Sequence, residues 1–259
     1  MGLKDHYVAS VKGAIYSSLP QAPVVDITHQ IDSFDLQQAA FILRNAFRHF
    51  PKKSVHIIGV KPEIDLSEGV MHVLVECEGH FFLGADNGIF SLIFDRHPDR
   101  IFELELSQDI DDMTFPTRDV FVKAACHLAR GGTPEVLGRQ RQELRTFSSL
   151  QPIANGSTIR GSIIYIDRYG NAVSNITRSF FREAVKSRPF ELYVSGGNRA
   201  PLREIAHAYN NVSPGDAVAL FNSSGHLEIA ISGGSETTGG SARSLLGLRI
   251  GHPIRIEIK

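Results

Sequence analysis

Three consecutive segments constrain this chain most. Val24-Val25-Asp26-Ile27-Thr28-His29 is a short apolar run ending in polar groups; Leu36 to Phe50 carries Ala39, Ala40, Leu43, Ala46, Phe47 and Phe50 at helical spacing behind a capping Asp35; Val55 to Val60 is apolar again. Strand, helix and strand in that order make a β–α–β unit, the building block of a parallel sheet. The N-terminal half is therefore expected to be an α/β domain with a mostly parallel sheet. Val8, Val11 and Ile15 suit a packed helix over Val8–Ser18. Further strands are expected at Met71–Glu76, His80–Leu83 and Ile101–Leu106, and a helix over Arg118–Arg130 that Gly131-Gly132 stops.

The character changes over Thr146–Thr158, which reads as linker and turn, and a boundary is placed there, giving regions 1–148 and 149–259. Beyond it come short β-type runs at Gly161–Asp167, Ala172–Ile176, Phe190–Val194, Ala217–Phe221, Leu227–Ile231 and Pro253–Ile258. Many short strands with turn signals between them suggest a small barrel or sandwich. The glycine-rich tract Gly233–Ser241 is too short for an interdomain linker and reads as a flexible loop.

A length of 259 residues suits two modest domains at roughly 150 residues each. The net charge of -1 offers no basic field for phosphate backbones, so nucleic acid is a poor partner. Cys77 and Cys126 lack zinc or disulfide-scaffold spacing, and the histidines show no HxxxH or HxH pattern, so no metal site is expected. No run reaches the ~18 apolar residues of a membrane span, and no secretory h-region opens the chain, which is read as cytoplasmic. GxGxxG, Walker A and GxSxG motifs are missing.

Four stretches could carry chemistry. Asp86-Asn87-Gly88 is either turn chemistry or a ligand loop at a strand end. Asp167-Arg168-Tyr169-Gly170-Asn171 is either a hairpin turn or a site where an aromatic stacks on a purine, an amide reads its edge and a carboxylate holds an ammonium. Thr114–Asp119 precedes a helix, with Thr117 or Asp119 a cap and Arg118 an ion-pair partner on the plain reading. Glu63, Asp65 and Glu68 form an acidic loop, solvated rather than cation-binding because the EF-hand pattern is missing.

Taken together the chain resembles the S-adenosylmethionine (SAM) hydroxide adenosyltransferase and halogenase family, from about Gly2 to Lys259. The likeness rests on Gly2-Leu3-Lys4-Asp5-His6-Tyr7-Val8, Val25-Asp26-Ile27-Thr28-His29, Phe34-Asp35 and Gly84-Ala85-Asp86-Asn87-Gly88. It continues through Ile166-Asp167-Arg168-Tyr169-Gly170-Asn171, Ser174-Asn175-Ile176, Asn222-Ser223-Ser224-Gly225, Leu227-Glu228-Ile229-Ala230 and Leu245-Leu246-Gly247-Leu248. The resemblance implies an α/β domain followed by a small β-barrel, a homotrimer, and SAM bound between neighbouring subunits as substrate or ligand with no separate cofactor. By it, Tyr169 would stack on adenine, Asn171 would bond its edge, Asp167 would hold the methionine ammonium, Phe34 would line the site and backbone near Ala242 would reach the base. The implied reaction is displacement at the ribose 5′-carbon by water, releasing adenosine and L-methionine.

The sequence departs from that pattern at two places. Val60-Lys61-Pro62 stands where hydrolases have Val-Asp-Pro, Gly69, Val70 and Met71 fall where an arginine is expected, and Pro116 replaces the histidine before Gly-Arg-Asp. Lys61, Thr117 and Arg118 are then the residues expected to serve water activation, Thr117 falling where the fluorinase has a halide-contacting serine. A non-catalytic adenosine or SAM sensor is the alternative, and halogenation ranks lower because Glu63, Asp65 and Glu68 disfavour approaching anions. The family also opens with a strand ending in Thr-Asp-Phe-Gly, whose aspartate binds the ribose hydroxyls. That strand is expected upstream of Met1.

Overall fold

The structure, a computed structural model, describes residues 1–105, 114–148, 150–194 and 200–259. The chain divides into two units, Met1–Ser148 and Ser149–Lys259.

In the first unit α1 spans Tyr7–Ser18 and α2 Leu36–Ala46, the latter capped by Asp35, whose carboxylate accepts from the Gln38 N–H at 2.8 Å and meets one of the unsatisfied N–H groups of the first turn. Strands β1 (Val55–Ile57), β2 (His72–Cys77) and β3 (His80–Ala85) precede α3 (Ile89–Ile93), then β4 (Arg100–Leu104), α4 (Val122–Ala129) and β5 (Gly138–Arg141). Along β2 the side chains alternate: Val73, Val75 and Cys77 join one apolar cluster with α2 and α3, and Leu74 joins another with α4. A strand buried on both faces reads this way, so helices cover both sides of the sheet.

The sheet runs β1-β3-β2-β4-β5, and only β1–β3 is parallel among the described pairs. The expectation of a mostly parallel sheet is corrected to a mixed one. Its cause is local: Glu78 (φ 51°) and Gly79 (φ 74°) form a two-residue hairpin with both central residues left-handed, and Cys77 pairs directly with His80. Such a turn reverses the chain and makes β2–β3 antiparallel. Leu106, the last residue of the expected strand, lies outside the described residues. Val24–His29, expected as a strand, has no ladder partner among the described residues. Between it and β1 lies a cleft of about 710 Å³ that both segments line.

The helix expected from Arg118 starts with a π-turn over Thr117–Phe121 before continuing as α4, and neither Thr117 nor Asp119 caps it; Pro116 stands at that position. The capping reading is therefore set aside.

The second unit holds β6 (Ile153–Asn155), β7 (Thr158–Ile166), β8 (Ala172–Thr177), α5 (Arg178–Val185), β9 (Phe190–Val194), β10 (Ala217–Phe221), β11 (His226–Ile231), α6 (Ala242–Leu245) and β12 (Pro253–Ile258). Its sheet order is β10-β11-β8-β7-β12-β9, with β6 on β7. The first half of β7 pairs with β12 and the second half with β8, with a register shift between Ile163 and Tyr165. That split curls the sheet into a half-barrel. Its end strands β9 and β10 share no ladder among the described residues, but the chain between them bridges to both, Leu202 exchanging backbone hydrogen bonds with Leu192 and Ala206 N donating to Ala219 O at 2.8 Å. Gly161 sits at this bend, where a Cβ would press within 2.6 Å of Asn175 Oδ1 and Ile176 Cγ1. Ile159, Ile163, Leu192, Leu227, Ile229 and Ile256 fill its core.

Candidate functional site

Because β1 and β3 are parallel, their C-terminal ends meet at one edge, the place where open α/β sheets build ligand sites. From β1 the chain runs on through Gly59, Val60 and Lys61, and from β3 through Asp86, Asn87 and Gly88. Asn87 ties the two exits together, donating from Nδ2 to Lys61 O at 2.8 Å and accepting the Ile89 N–H on Oδ1. Lys61 itself is exposed and holds φ at 46°, a left-handed backbone that points this segment away from the strand direction. Asp86 is fully buried. Burial pushes its carboxyl upward, against the Arg145 N–H at 2.9 Å and the Arg141 guanidinium at 3.3 Å. The motif thus serves the scaffold.

Thr117 reaches the same edge. A Cβ built on Gly59 would lie 3.1 Å from its Oγ1, so glycine there lets the helix start approach the β1 exit. The Thr117 hydroxyl is buried and has no hydrogen-bond partner among the described residues. Arg118 points elsewhere: its guanidinium takes both carboxylate oxygens of Asp119, at 2.6 and 3.0 Å, and lies 5.3 Å from the Phe115 ring centroid. Phe34, with φ at 66° and a largely exposed ring, sits in the entry to α2. No hydrogen bond or ring contact among the described residues joins it to Lys61, Thr117 or Arg118. The acidic loop is knit internally, Asp65 accepting from the Ser67 hydroxyl at 2.6 Å and from two backbone N–H groups. The Ser67 hydroxyl first, then the Glu68 N–H, hold the Asp65 carboxyl below its ordinary range.

In the second unit the Asp167–Asn171 hairpin links β7 to β8. Asp167 accepts the Asn171 N–H on Oδ1 at 2.8 Å and its side-chain amide on Oδ2 at 3.1 Å. That bond uses one of the two Nδ2 hydrogens, and no hydrogen bond to the Asn171 carbonyl oxygen is seen among the described residues, which leaves it able to accept from an exocyclic amine. Tyr169 projects from the turn 64% exposed, whereas Asn171 is buried. Gly170 (φ 80°) has no room for a Cβ, since Glu236 Oε1 and the Ser241 side chain pack on it. Ser241 donates to Glu236 at 2.7 Å and caps α6, and Arg243 N donates to Gly170 O at 2.9 Å. Ala242 is fully buried beside them.

Tyr169, Asn171, Asp167 and Ala242 are therefore gathered on one structure, and Lys61 and Thr117 at one edge of another, while Arg118 is committed to Asp119. From the sequence, Gly233–Ser241 reads as a flexible loop. It is instead folded onto the hairpin, turned by the Ser235–Thr238 backbone bond of 2.8 Å and latched by Glu236. A second omission is Glu228, buried on β11, which accepts from Tyr209 Oη and Asn222 Nδ2, each at 2.8 Å. Burial raises its carboxyl despite those bonds. An apolar run interrupted by a single carboxylate, Leu227-Glu228-Ile229, was the available signal.

A family profile described as the SAM hydroxide adenosyltransferase N-terminal domain matches residues 1–138, and its C-terminal counterpart matches residues 161–255. The chain is 34% identical to an (R)-S-adenosyl-L-methionine hydrolase of Thermus thermophilus, over 98% of this chain and 96% of that protein. A fluorinase of an Actinoplanes species is 23% identical over 89% of this chain and 88% of its own length. Among solved structures, an uncharacterized conserved protein of Thermotoga maritima superposes with a TM-score of 0.84 at 25% identity, covering 98% of this chain and 96% of that one.

Proposed function

Since the chain belongs to the SAM hydroxide adenosyltransferase family, we propose that it is an enzyme that cleaves SAM with water to adenosine and L-methionine, SAM being substrate and no separate cofactor taking part. A water oxygen forms a bond to the ribose 5′-carbon as the carbon–sulfur bond breaks, its electron pair returns the sulfonium to a neutral thioether, and the water's proton leaves to solvent. The protein's task is to bind, orient and exclude.

The observation that carries this reading is the braced Asp167–Asn171 hairpin. An exposed Tyr169 ring on a rigid turn offers a stacking face, the free Asn171 carbonyl an acceptor for the adenine amine, and the unfilled lone pairs of Asp167 a seat for the methionine ammonium. Ala242 backbone closes the base edge and Phe34 lines the site. For water we assign Thr117 and Lys61, because the Thr117 hydroxyl is buried and unpartnered beside the β1 exit. Arg118, held by Asp119, supports that edge from its helix turn.

We further propose a homotrimer with sites shared between subunits and a cytoplasmic location. The residues of the site fall on two separate units, and Cys77 and Cys126, both free and buried, suit a reducing compartment. Light scattering at assay concentration tests the assembly: a monomer mass overturns it.

The activity is tested by incubating the protein with SAM in ¹⁸O-water and separating the products. Adenosine labelled at its 5′-oxygen, with unlabelled methionine, is expected. Release no faster than without protein, alongside binding in calorimetry, replaces hydrolysis with a non-catalytic sensor. A 5′-halogenated nucleoside in chloride or fluoride replaces it with halogenation.

A further inference from the structure

The tract Gly233–Ser241, between β11 and α6, holds one carboxylate against the Asp167–Asn171 hairpin. Its neck is closed by glycine: a Cβ on Gly234 would collide with Gly240 O, and Gly239 and Gly240 hold φ at 70° and 77°. Within the neck Ser235 N donates to Thr238 O at 2.8 Å, and Ser235 Oγ accepts the Thr237 and Thr238 N–H groups at 3.3 and 3.1 Å. Glu236 is the first residue inside this turn. Its Oε1 accepts from Ser241 Oγ at 2.7 Å and lies where a Cβ on Gly170 would be, at the hairpin position between Tyr169 and Asn171. Its Oε2 has no hydrogen bond, and the carboxylate no ion pair, among the described residues, although Arg168 and Arg243 stand in the adjoining segments.

We propose that Glu236 is a specificity-determining residue, accepting from the exocyclic amine of a 6-aminopurine beside Asn171 and turning away a 6-oxopurine. The proposal rests on the reading of the Asp167–Asn171 hairpin as the adenine site. Two acceptors then occupy adjacent positions of the hairpin, the Asn171 carbonyl oxygen and the Glu236 carboxylate. An exocyclic amine has two hydrogens to give, whereas a 6-oxo group has none. Asn171 by itself discriminates weakly, because turning its amide over presents Nδ2 to an oxo group for the loss of one bond to Asp167. A carboxylate cannot be turned over into a donor. Facing a 6-oxo group, its oxygen goes unpaired, and a site left with an unpaired polar group rejects the wrong analogue far more strongly than shape alone does. The bond to Ser241 also makes Glu236 a brace for the α6 cap. Glutamine separates the two roles: its carbonyl keeps the oxygen that Ser241 needs, while its amide nitrogen supplies a donor for an oxo group.

Adenosine, purine riboside and inosine carry an amine, a hydrogen and an oxo group at position 6, and each is titrated by calorimetry into the parent, Glu236→Gln and Tyr169→Ala. In the parent each step along that series should weaken binding at least about tenfold. In Glu236→Gln adenosine should bind within about threefold of the parent, while the adenosine-to-inosine ratio narrows at least about tenfold because inosine binds better. Inosine bound by the parent as tightly as adenosine, or more tightly, overturns the proposal whatever the variant does. An unchanged ratio in Glu236→Gln overturns it too, as does a ratio narrowed only by loss of adenosine, which leaves Glu236 a brace. Tyr169→Ala tells the failure of this proposal from that of the adenine reading. Adenosine lost there, with the Glu236→Gln ratio unchanged, removes Glu236 and keeps the hairpin as the adenine site; adenosine affinity unchanged in Tyr169→Ala, or no binding to the parent, removes both.

Discussion

His56 and His80 meet inside the first unit, Nε2 of one to Nδ1 of the other at 3.2 Å, both rings buried among Phe47 and Phe82. Burial first, and the charge of His80 second, bring His56 down to about 4, while burial and Lys52 lower His80 against the pull of Glu78. His72 is lowered by burial as well.

The unfolded chain therefore binds protons near pH 6.5 that the folded chain refuses until about pH 4, and in that window the unfolded state carries more of them. Stability should be full above pH 6.5 and fall as the pH drops toward 4, with a loss on the order of 2 kcal/mol from His56. Denaturant midpoints from pH 4 to 7 check this. The slope should flatten in His56→Phe, and an equal slope in both proteins would refute the assignment.

Tyr169→Ala should weaken adenosine and SAM alike, by about 1–3 kcal/mol if the ring stacks on the base. Its exposure means little stability is lost. Calorimetric titration with each ligand decides, and unchanged affinities would remove the stacking role.

Asp167→Asn should cost SAM more affinity than adenosine, since only SAM brings an ammonium. Some loss for adenosine is also expected, because the same carboxylate orients Asn171. Equal losses would reduce Asp167 to a hairpin brace.

Thr117→Val keeps the shape of a buried side chain and deletes a hydroxyl that has no partner among the described residues. Stability should hold or rise by about 1 kcal/mol, because an unsatisfied buried polar group is costly, while kcat falls at least tenfold. Melting and turnover measured together test it: undiminished kcat would take Thr117 out of the reaction.

Gly170→Ala puts a methyl into the space of Glu236 and Ser241 at a left-handed backbone position. The α6 cap should be pushed off the hairpin and adenosine binding weakened at least tenfold, with far-ultraviolet circular dichroism near that of the parent. Wild-type affinity would show that the Ser241–Ala242 segment does not contribute to the base pocket.

Much of this was legible beforehand where the signal is local. The α1 and α2 helices show in the spacing of Val8, Val11, Ile15 and of Ala39, Ala40, Leu43, and Asp35 caps α2 as its position suggested. The runs Phe190–Val194, Ala217–Phe221 and Pro253–Ile258 are strands at those bounds. The tight Glu78-Gly79 reversal was less legible, because a two-residue turn without asparagine or aspartate leaves little trace in a string of apolar residues. At the site, Tyr169 and Asn171 could be named from the sequence, and Arg118 as an ion-pair partner, but not that its partner is the adjacent Asp119, since neighbouring residues signal no pairing by periodicity.

What the sequence determined by itself is the set of parts: which segments are helical or extended, where the chain changes character, and which side chains could stack, accept or hold a charge. Each is decided by neighbours a few positions away. Only the tertiary structure decided how the parts pair: β2 against β3 rather than beside a parallel partner, Gly233–Ser241 folded onto Gly170, Thr117 brought to Gly59, and an open edge on β1 facing Val24–Thr28. These are contacts between residues far apart in the chain, set by loop closure and by packing two surfaces at once, and no local period encodes them.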